Sequence, residues 1–295
     1  MNVNFEYYKI FYYVAKYQNF TKAAYALNNS QPNITRAMNC LEHQVNCKLF
    51  IRTNRGVHLT PEGERLYIRV SKAMIQLQSA EEELLDSTGL EHGSISIGAS
   101  EIALNIYLLD RLKKFHITYP GVRLKIFNHS TPQAINSVCN GEIDFAVVTT
   151  PTNVEGPLKE IKLKAFQEIL VGGRSFAPIV SEKLSFKDLE KYPFICLGMK
   201  TTTYNFYSQL FNKYGCEIIP DIEAATTDQV LPLVKSELGL AFLPEEMAEE
   251  EIRKRKIVQI GLNEEIPKRY VCMLYDFKRP MSLIAQKLKK ILLEE

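Results

Sequence analysis

The stretch that most constrains this chain runs from Asn19 to Gly63: NFTKAAYALNNSQPNITRAMNCLEHQVNCKLFIRTNRGVHLTPEG. A helix is expected before it, over about Phe5 to Tyr17, with Phe11, Val14 and Ala15 on its inner face. Thr21 is placed to cap the next helix through its hydroxyl, and the small Ala23 and Ala24 let another helix approach closely. Leu27 closes that helix, and Asn28, Asn29 and Ser30 supply turn chemistry. Ser30, Gln31 and Pro32 then read as a new helix start. A serine hydroxyl accepts a free first-turn N–H, and proline lacks an N–H that would have no partner there. Ile34, Met38, Leu41 and Val45 fall on one side of this helix. The other side presents Gln31, Asn33, Thr35, Arg36 and Asn39, the residue types that pair with base edges in a DNA major groove. Glu42 and His43 break that neutral and basic face only at its far end. Asn46 tolerates a left-handed helix stop, and Arg52, Arg55 and His58 around Gly56 form a basic hairpin suited to phosphates. Two helices about a tight turn, followed by such a hairpin, are the layout of a winged helix-turn-helix of the all-α type. Residues 1–60 are therefore assigned as a domain for double-stranded DNA.

The charge distribution agrees. The net charge is only +2, but residues 1–60 hold seven Lys and Arg against Glu6 and Glu42, whereas residues 61–92 are acidic overall. Within 61–92, Leu66, Val70, Ala73, Leu77, Ala80 and Leu84 alternate at spacings of four and three. That is the seam of a paired helix, and it makes this segment a linker and dimerisation helix. Ser87 to Gly93 reads as a short joint.

From Gly93 the period changes. Ser94–Ala99, Val122–Phe127 and Ile143–Val148 read as short buried strands, with helices near Glu101–Thr118 and Pro132–Asn140 between them. A second set follows: strands at Ile169–Gly172, Phe194–Leu197, Ile218–Ala224 and Gly239–Leu243, with helices near Thr203–Tyr214 and Gln229–Glu237. Tyr270–Tyr275 and Pro280–Leu293 are expected to return to the first set as a strand and a helix. Alternation of this kind implies parallel α/β sheets. The expectation is a two-lobed α/β domain over 93–295, with lobe I about 93–155 and 268–295 and lobe II about 156–267.

The N-terminal stretch resembles the DNA-binding domain of LysR-type transcriptional regulators. The residues that carry the resemblance are Phe20, Thr21, Ala23, Ala24, Leu27, Ser30, Gln31, Pro32, Thr35, Leu41, Glu42, Leu49, Phe50, Arg52, Leu59, Thr60 and Gly63. Asn29 and Asn46 depart from the family pattern without removing a base-contacting group. The second half is similar to the same family's effector-binding domain, which has the fold of periplasmic solute-binding proteins. The cues are Gly93 with Ile97-Gly98, Phe115 with Tyr119-Pro120, Gly141-Glu142-Ile143-Asp144, and Gly239-Leu240-Ala241 before Leu243-Pro244. The resemblance implies a homodimer or homotetramer that acts with RNA polymerase at a promoter in response to a small-molecule effector.

Ligands of such sheets bind at the carboxyl ends of the strands. Hydroxyls crowd those ends: Ser100, Ser130, Thr131, Thr149 and Thr150 in the first lobe, and Thr201, Thr202, Thr203, Thr226 and Thr227 in the second. Most sit at expected helix starts, where free N–H groups and the helix dipole favour an anion. With Lys200 they mark a cleft for a small polar or carboxylate-bearing effector.

Other chemistries find no pattern. Cys40, His43 and Cys47 lack a second pair to complete a zinc site. Cys196 falls in an expected core strand, which argues against a redox pair with Cys216. GxSxG, P-loop and GxGxxG motifs are absent. No enzyme activity, cofactor or metal is expected. The aromatic but charge-broken N-terminus is not a secretory signal and no run is long enough to span a bilayer, so a cytoplasmic location is expected.

Overall fold

Short polar residues set the helix boundaries at the N-terminal end of this computed structural model, in which residues 3–53, 56–85 and 93–294 are described. The chain forms two compact units, Met1–Leu85 and Asp86–Glu295.

In the first unit, α1 (Phe5–Tyr17) is capped by Asn4 and ends on Gln18 in a left-handed conformation. That stop leaves Asn19 extended, and Asn19 rather than Thr21 caps α2 (Phe20–Ala26), its carboxamide accepting from Thr21 N and Lys22 N at 2.9 Å. Thr21 is exposed in the first turn. The expected Ser30 cap opens α3 (Gln31–Gln44), which closes before Asn46 at φ 51°. Strands β1 (Phe50–Thr53) and β2 (Gly56–Leu59) pair antiparallel, from Phe50 opposite Leu59 to Thr53 opposite Gly56.

Helix α4 (Pro61–Leu85) starts on Thr60, whose hydroxyl accepts from Gly63 N and donates to Lys48 O. A Cβ on Gly63 would lie 2.2 Å from Leu49 O, so only glycine allows this approach. Phe11, Ile34, Met38, Leu41 and Leu49 form the core, joined by Val70 and Met74 of α4, with Leu66 and Tyr67 packed beside them. The expected seam is thereby divided. Leu66 and Val70 serve their own unit's core, whereas Ala73 and Leu77 are exposed. The side chains of Ala80 and Leu84, and the joint at 87–92, lie outside the described residues.

The second unit opens with β3 (Gly93–Ala99), a short α5 (Glu101–Ala103), a π-helical turn (Leu104–Leu108) and α6 (Leu109–Thr118). Then come β4 (Val122–Asn128), α7 (Thr131–Asn140), β5 (Phe145–Thr149) and β6 (Leu158–Phe166). The first sheet has the order β4-β3-β5-β13-β6, where β13 is Arg269–Asp276. Strands β4, β3 and β5 are parallel, and β13 runs antiparallel to both β5 and β6. Every residue of β5 is buried, as a strand covered on both faces requires. The final helix, α11 (Leu283–Leu293), buries Ile284, Leu288, Ile291 and Leu292 in the same core.

Strand β6 corrects the expected lobe boundary. The stretch 158–166 belongs to lobe I, so the chain first crosses at Gln167, not near Thr150–Gly156. Lys159, Lys162 and Lys164 interrupt its apolar residues, and charge of this kind is how an edge strand resists further pairing.

Lobe II contains β7 (Glu168–Gly173), β8 (Lys183–Leu184), β9 (Ile195–Leu197), α8 (Thr202–Lys213), β10 (Ile222–Ala224), α9 (Thr227–Lys235), β11 (Ala241–Pro244), α10 (Glu245–Arg253) and β12 (Ile257–Leu262). It is mixed rather than wholly parallel: β7 runs antiparallel to β11 and β12, while β9 and β10 are parallel. A bridge from Phe194 to Leu240 links these two ladders. Helix α10 and strands β8 and β12 were not expected from the sequence. The return to lobe I falls between Leu262 and Arg269. The two crossings are tied together by Gln167 Nε2, which donates to Ile266 O at 3.0 Å.

Candidate nucleic-acid interface and ligand cavity

On α3, burial of Ile34, Ala37, Met38 and Leu41 fixes which side faces out. Gln31, Pro32, Asn33, Arg36 and Asn39 are exposed, and Thr35 is half-buried with its hydroxyl unpaired among the described residues. Asn29 organises the start of this helix. Its carboxamide oxygen accepts from Ser30 N at 2.8 Å and Asn33 Nδ2 at 3.0 Å.

Glu42 does not interrupt the outer face as expected. It is 8% exposed, and its carboxylate accepts from Leu49 N at 2.8 Å and Phe50 N at 3.2 Å while pairing with Lys48 Nζ at 2.7 Å. Burial alone would raise its pKa, but these bonds outweigh burial and hold it below the ordinary 4.5. The negative charge is thus spent on fixing the entry to β1, leaving the outer face of α3 neutral and basic. Arg55 and the side chain of Arg52 lie outside the described residues, and His58 is exposed on β2.

In the second unit, a cavity of about 180 Å³ is lined from both lobes. Lobe I contributes Ser100 before α5, Ser130 and Thr131 at the start of α7, and Thr149 at the end of β5. Lobe II contributes Thr201, Thr202 and Thr203 at the start of α8, and Thr226 and Thr227 at the start of α9. The sequence pattern therefore converges on one place, with two exceptions. Thr150 uses its hydroxyl to accept from Tyr270 N within the sheet, and Lys200 is exposed outside the lining. Glu101, Asn128, His129 and Gln133 complete the polar wall and were not singled out from the sequence.

The lining hydroxyls differ in what they have left to offer. Ser100 and Thr201 cap their helices, accepting from Ala103 N and Tyr204 N. Ser130 donates to Gln133 Oε1, and Thr131 donates to Thr149 O. Thr202, Thr226 and Thr227 make no side-chain hydrogen bond among the described residues.

Sequence reasoning missed the side chain that joins the two walls. Arg269, 1% exposed, reaches from β13 and donates through Nη2 to Thr149 Oγ1 at 3.1 Å and to Thr203 Oγ1 at 3.2 Å. Its Nε donates to Thr150 O at 2.7 Å, its Nη1 pairs with buried Glu168 at 2.9 Å, and its guanidinium lies 5.0 Å over the Phe206 ring. Because Thr149 and Thr203 both accept from Arg269, their own protons remain available to a ligand. The only signal in the sequence is an arginine, next to Lys268, just before the expected strand Tyr270–Tyr275.

The free cysteines Cys196 and Cys272 are buried, and burial pushes each thiol up to about 12, which disfavours thiolate chemistry. No group of three potential metal ligands occurs among the described residues, and none of their helices is long and apolar enough to cross a membrane.

A helix-turn-helix and a two-lobed α/β domain in one chain define a DNA-binding regulator with an effector-binding domain. Residues 5–64 match the bacterial regulatory helix-turn-helix proteins of the lysR family, and residues 88–295 match the LysR substrate binding domain, so the chain belongs to the LysR-type transcriptional regulators. Among its relatives is the HTH-type transcriptional regulator YofA of Bacillus velezensis, 29% identical over 80% of this chain and 79% of that protein. Another is the malolactic fermentation system transcriptional activator of Lactococcus lactis, 26% identical over 90% of this chain and 89% of that protein. Two solved structures share the fold. Full-length CbnR complexed with its target DNA has a TM-score of 0.74 at 17% identity, covering 98% of each chain. A full-length cysteine-to-aspartate variant of OxyR from Pseudomonas aeruginosa has a TM-score of 0.71 at 18% identity, covering 99% of this chain and 94% of that one.

Proposed function

We propose that this regulator binds a small carboxylate-bearing metabolite in the cavity between its lobes, and that binding changes how paired copies sit on DNA. The observation that carries the reading is the pair Thr149 and Thr203. One hydroxyl comes from each lobe, and Arg269 turns both into donors toward a shared space. Starts of α7, α8 and α9 border the same space, so free N–H groups add to the preference for an anion. At about 180 Å³ the cavity suits a molecule of a few heavy atoms rather than a nucleotide.

In this reading Gln31, Asn33, Thr35, Arg36 and Asn39 read base edges, while Thr21, Ser30, Pro32, Arg52 and Arg55 lie at the backbone. Ala73, Leu77, Ala80 and Leu84 carry self-association into a dimer, or a tetramer of such dimers, and a symmetric pair reads a two-fold DNA site. The effector then shifts the population between assemblies by as much as it prefers one over the other. The complex acts in the cytoplasm, with RNA polymerase at the promoter.

Gel retardation on DNA upstream of the protein's own gene, at increasing salt, tests the DNA half. Binding that weakens linearly in log salt is expected, and no retardation even at low salt rejects it. Isothermal titration with short carboxylic acids tests the cavity. Thr149→Val and Thr203→Val are expected to weaken acid binding, and acid binding indifferent to both places the acid elsewhere.

A further inference from the structure

Asn29 lies in the turn between α2 and α3. Leu27 closes α2, and Asn28 follows in a left-handed conformation at φ 47°. Asn29 N then donates to Ala24 O at 2.9 Å, which holds the turn against the last residues of α2. With its backbone fixed in this way, the Asn29 side chain is held beside the start of α3.

A carboxamide has an accepting end and a donating end, and the end that faces a neighbour decides what is left for other partners. Here a main-chain group makes the choice. The Ser30 N–H can only donate, so the atom of Asn29 that lies 2.8 Å from it is Oδ1. The same oxygen lies 3.0 Å from the carboxamide of Asn33, four residues on, so Asn33 must present its Nδ2. Asn33 N is held as well, donating to Ser30 Oγ at 3.4 Å. The amide of Asn33 is therefore not free to turn over. One of its Nδ2 protons goes to Asn29, and its Oδ1 accepts no hydrogen bond among the described residues. The exposed third residue of α3 thus offers one donor and one acceptor in a set order.

One donor beside one acceptor is the complement of adenine, which shows N7 as an acceptor and N6 as a donor in the major groove. Guanine shows two acceptors there, N7 and O6, and would set O6 against Asn33 Oδ1. A free carboxamide escapes that conflict by turning over, and one held by Asn29 does not.

We propose that Asn29 positions Asn33 to read a single adenine, and so sets specificity at that base pair without touching the base. The inference rests on the reading of Asn33 as one of the residues that meet base edges. Full-length protein should be used to select sites from a randomised duplex library, with Asn33→Ala run in parallel. The base pair at which Asn33→Ala loses its preference locates the contact. Adenine is expected there, with its preference over guanine reduced about tenfold in Asn33→Ala. Duplexes differing at that pair are then titrated with Asn29→Ala and Asn29→Asp.

Aspartate still accepts from Ser30 N and Asn33 Nδ2, but it adds a negative charge near DNA. Asn29→Asp is therefore expected to weaken binding to both duplexes alike and to keep the preference for adenine. Asn29→Ala is expected to reduce that preference by about three- to tenfold, the scale of one hydrogen bond. In the Asn33→Ala background, Asn29→Ala should change it no further. If Asn29→Ala weakens both duplexes equally, Asn29 only supports the helix start, and the inference falls while Asn33 remains a base reader. A base other than adenine at the located pair overturns it too, as does a preference lost equally in Asn29→Asp. If Asn33→Ala alters the preference at no pair, the inference falls together with the place of Asn33 among the base readers.

Discussion

Arg36 and Arg52 carry the same charge, but they are expected to do different things. Arg36 is exposed on the outer face of α3, where a guanidinium can reach two acceptors on a guanine edge. Arg52 lies on β1 of the basic hairpin, which suits phosphates. Arg36→Ala should cost about 1–3 kcal/mol of discrimination between cognate and altered sites, whereas Arg52→Ala should weaken all sequences alike and reduce the salt slope by about one. Binding titrations on two DNA sequences at several salt concentrations separate these outcomes, and equal behaviour of the two variants rejects the assignment of the outer face. Glu42 makes a second prediction at this scale. Its folded-state pKa lies below 4.5, so as pH falls the unfolded chain takes up the proton first. Its contribution is complete above pH 4.5 and is lost as pH drops through the folded value. Glu42→Gln should lower stability by about 1–3 kcal/mol near neutral pH, because the Leu49 and Phe50 N–H groups lose a charged acceptor, and by less in acid. Urea midpoints between pH 3 and pH 7 give the comparison. The sequence made Glu42 look like an outward charge because α-helical spacing cannot tell which marginal position the following loop will fold over.

Helix and strand boundaries were legible where they depend on neighbouring residues. Ser30 and Asn46 act as expected, and α1 spans the expected residues. The exchange of Thr21 for Asn19 as a cap has a local cause: two good caps stand two residues apart, and the left-handed Gln18 decides between them. The helix α4 shows where periodicity misleads. A four-three spacing describes any stripe on a helix, and this one begins as core and emerges as surface. Met74, outside the expected seam, is 6% exposed within the N-terminal core, whereas Leu77 within the seam is 44% exposed. Met74→Ala should therefore destabilise the N-terminal unit by about 2–5 kcal/mol. Leu77→Lys should leave its unfolding midpoint nearly unchanged but shift sedimentation toward smaller species. A midpoint that moves with Leu77, or sedimentation that ignores it, removes Leu77 from the pairing surface. Strand β6 and strand β12 escaped notice for a related reason. Both strands break their apolar residues with charge or glycine, and their identity depends on partners far away in sequence, as β6 depends on β13.

At the scale of the molecule, the hydroxyl cluster was readable because each helix start announces itself locally, but the device that joins the clusters was not. Arg269 acts through contacts with Thr149, Thr150, Glu168 and Thr203, which no local pattern brings together. Removing it leaves Glu168 as a buried charge without its partner. Arg269→Met should destabilise the second unit by about 3–5 kcal/mol, and the double variant Arg269→Met, Glu168→Leu should recover part of that loss. Calorimetric unfolding of the three proteins measures both effects, and a double variant less stable than Arg269→Met contradicts the account. One further consequence lies in the pairing of Phe166 with Arg269, the last residue of β6 and the first of β13. In sheet terms these two strands are an antiparallel hairpin, and everything from Gln167 to Lys268 occupies the place of its turn. Lobe II is thus a domain inserted at a loop tip, a position where chains tolerate both gain and loss of sequence. Replacing 167–268 with an Asn-Gly turn should leave β4-β3-β5-β13-β6 able to fold as a single-lobed protein without a cavity, a truncation whose circular dichroism and cooperative melting would reveal whether one half carries the architecture of the other.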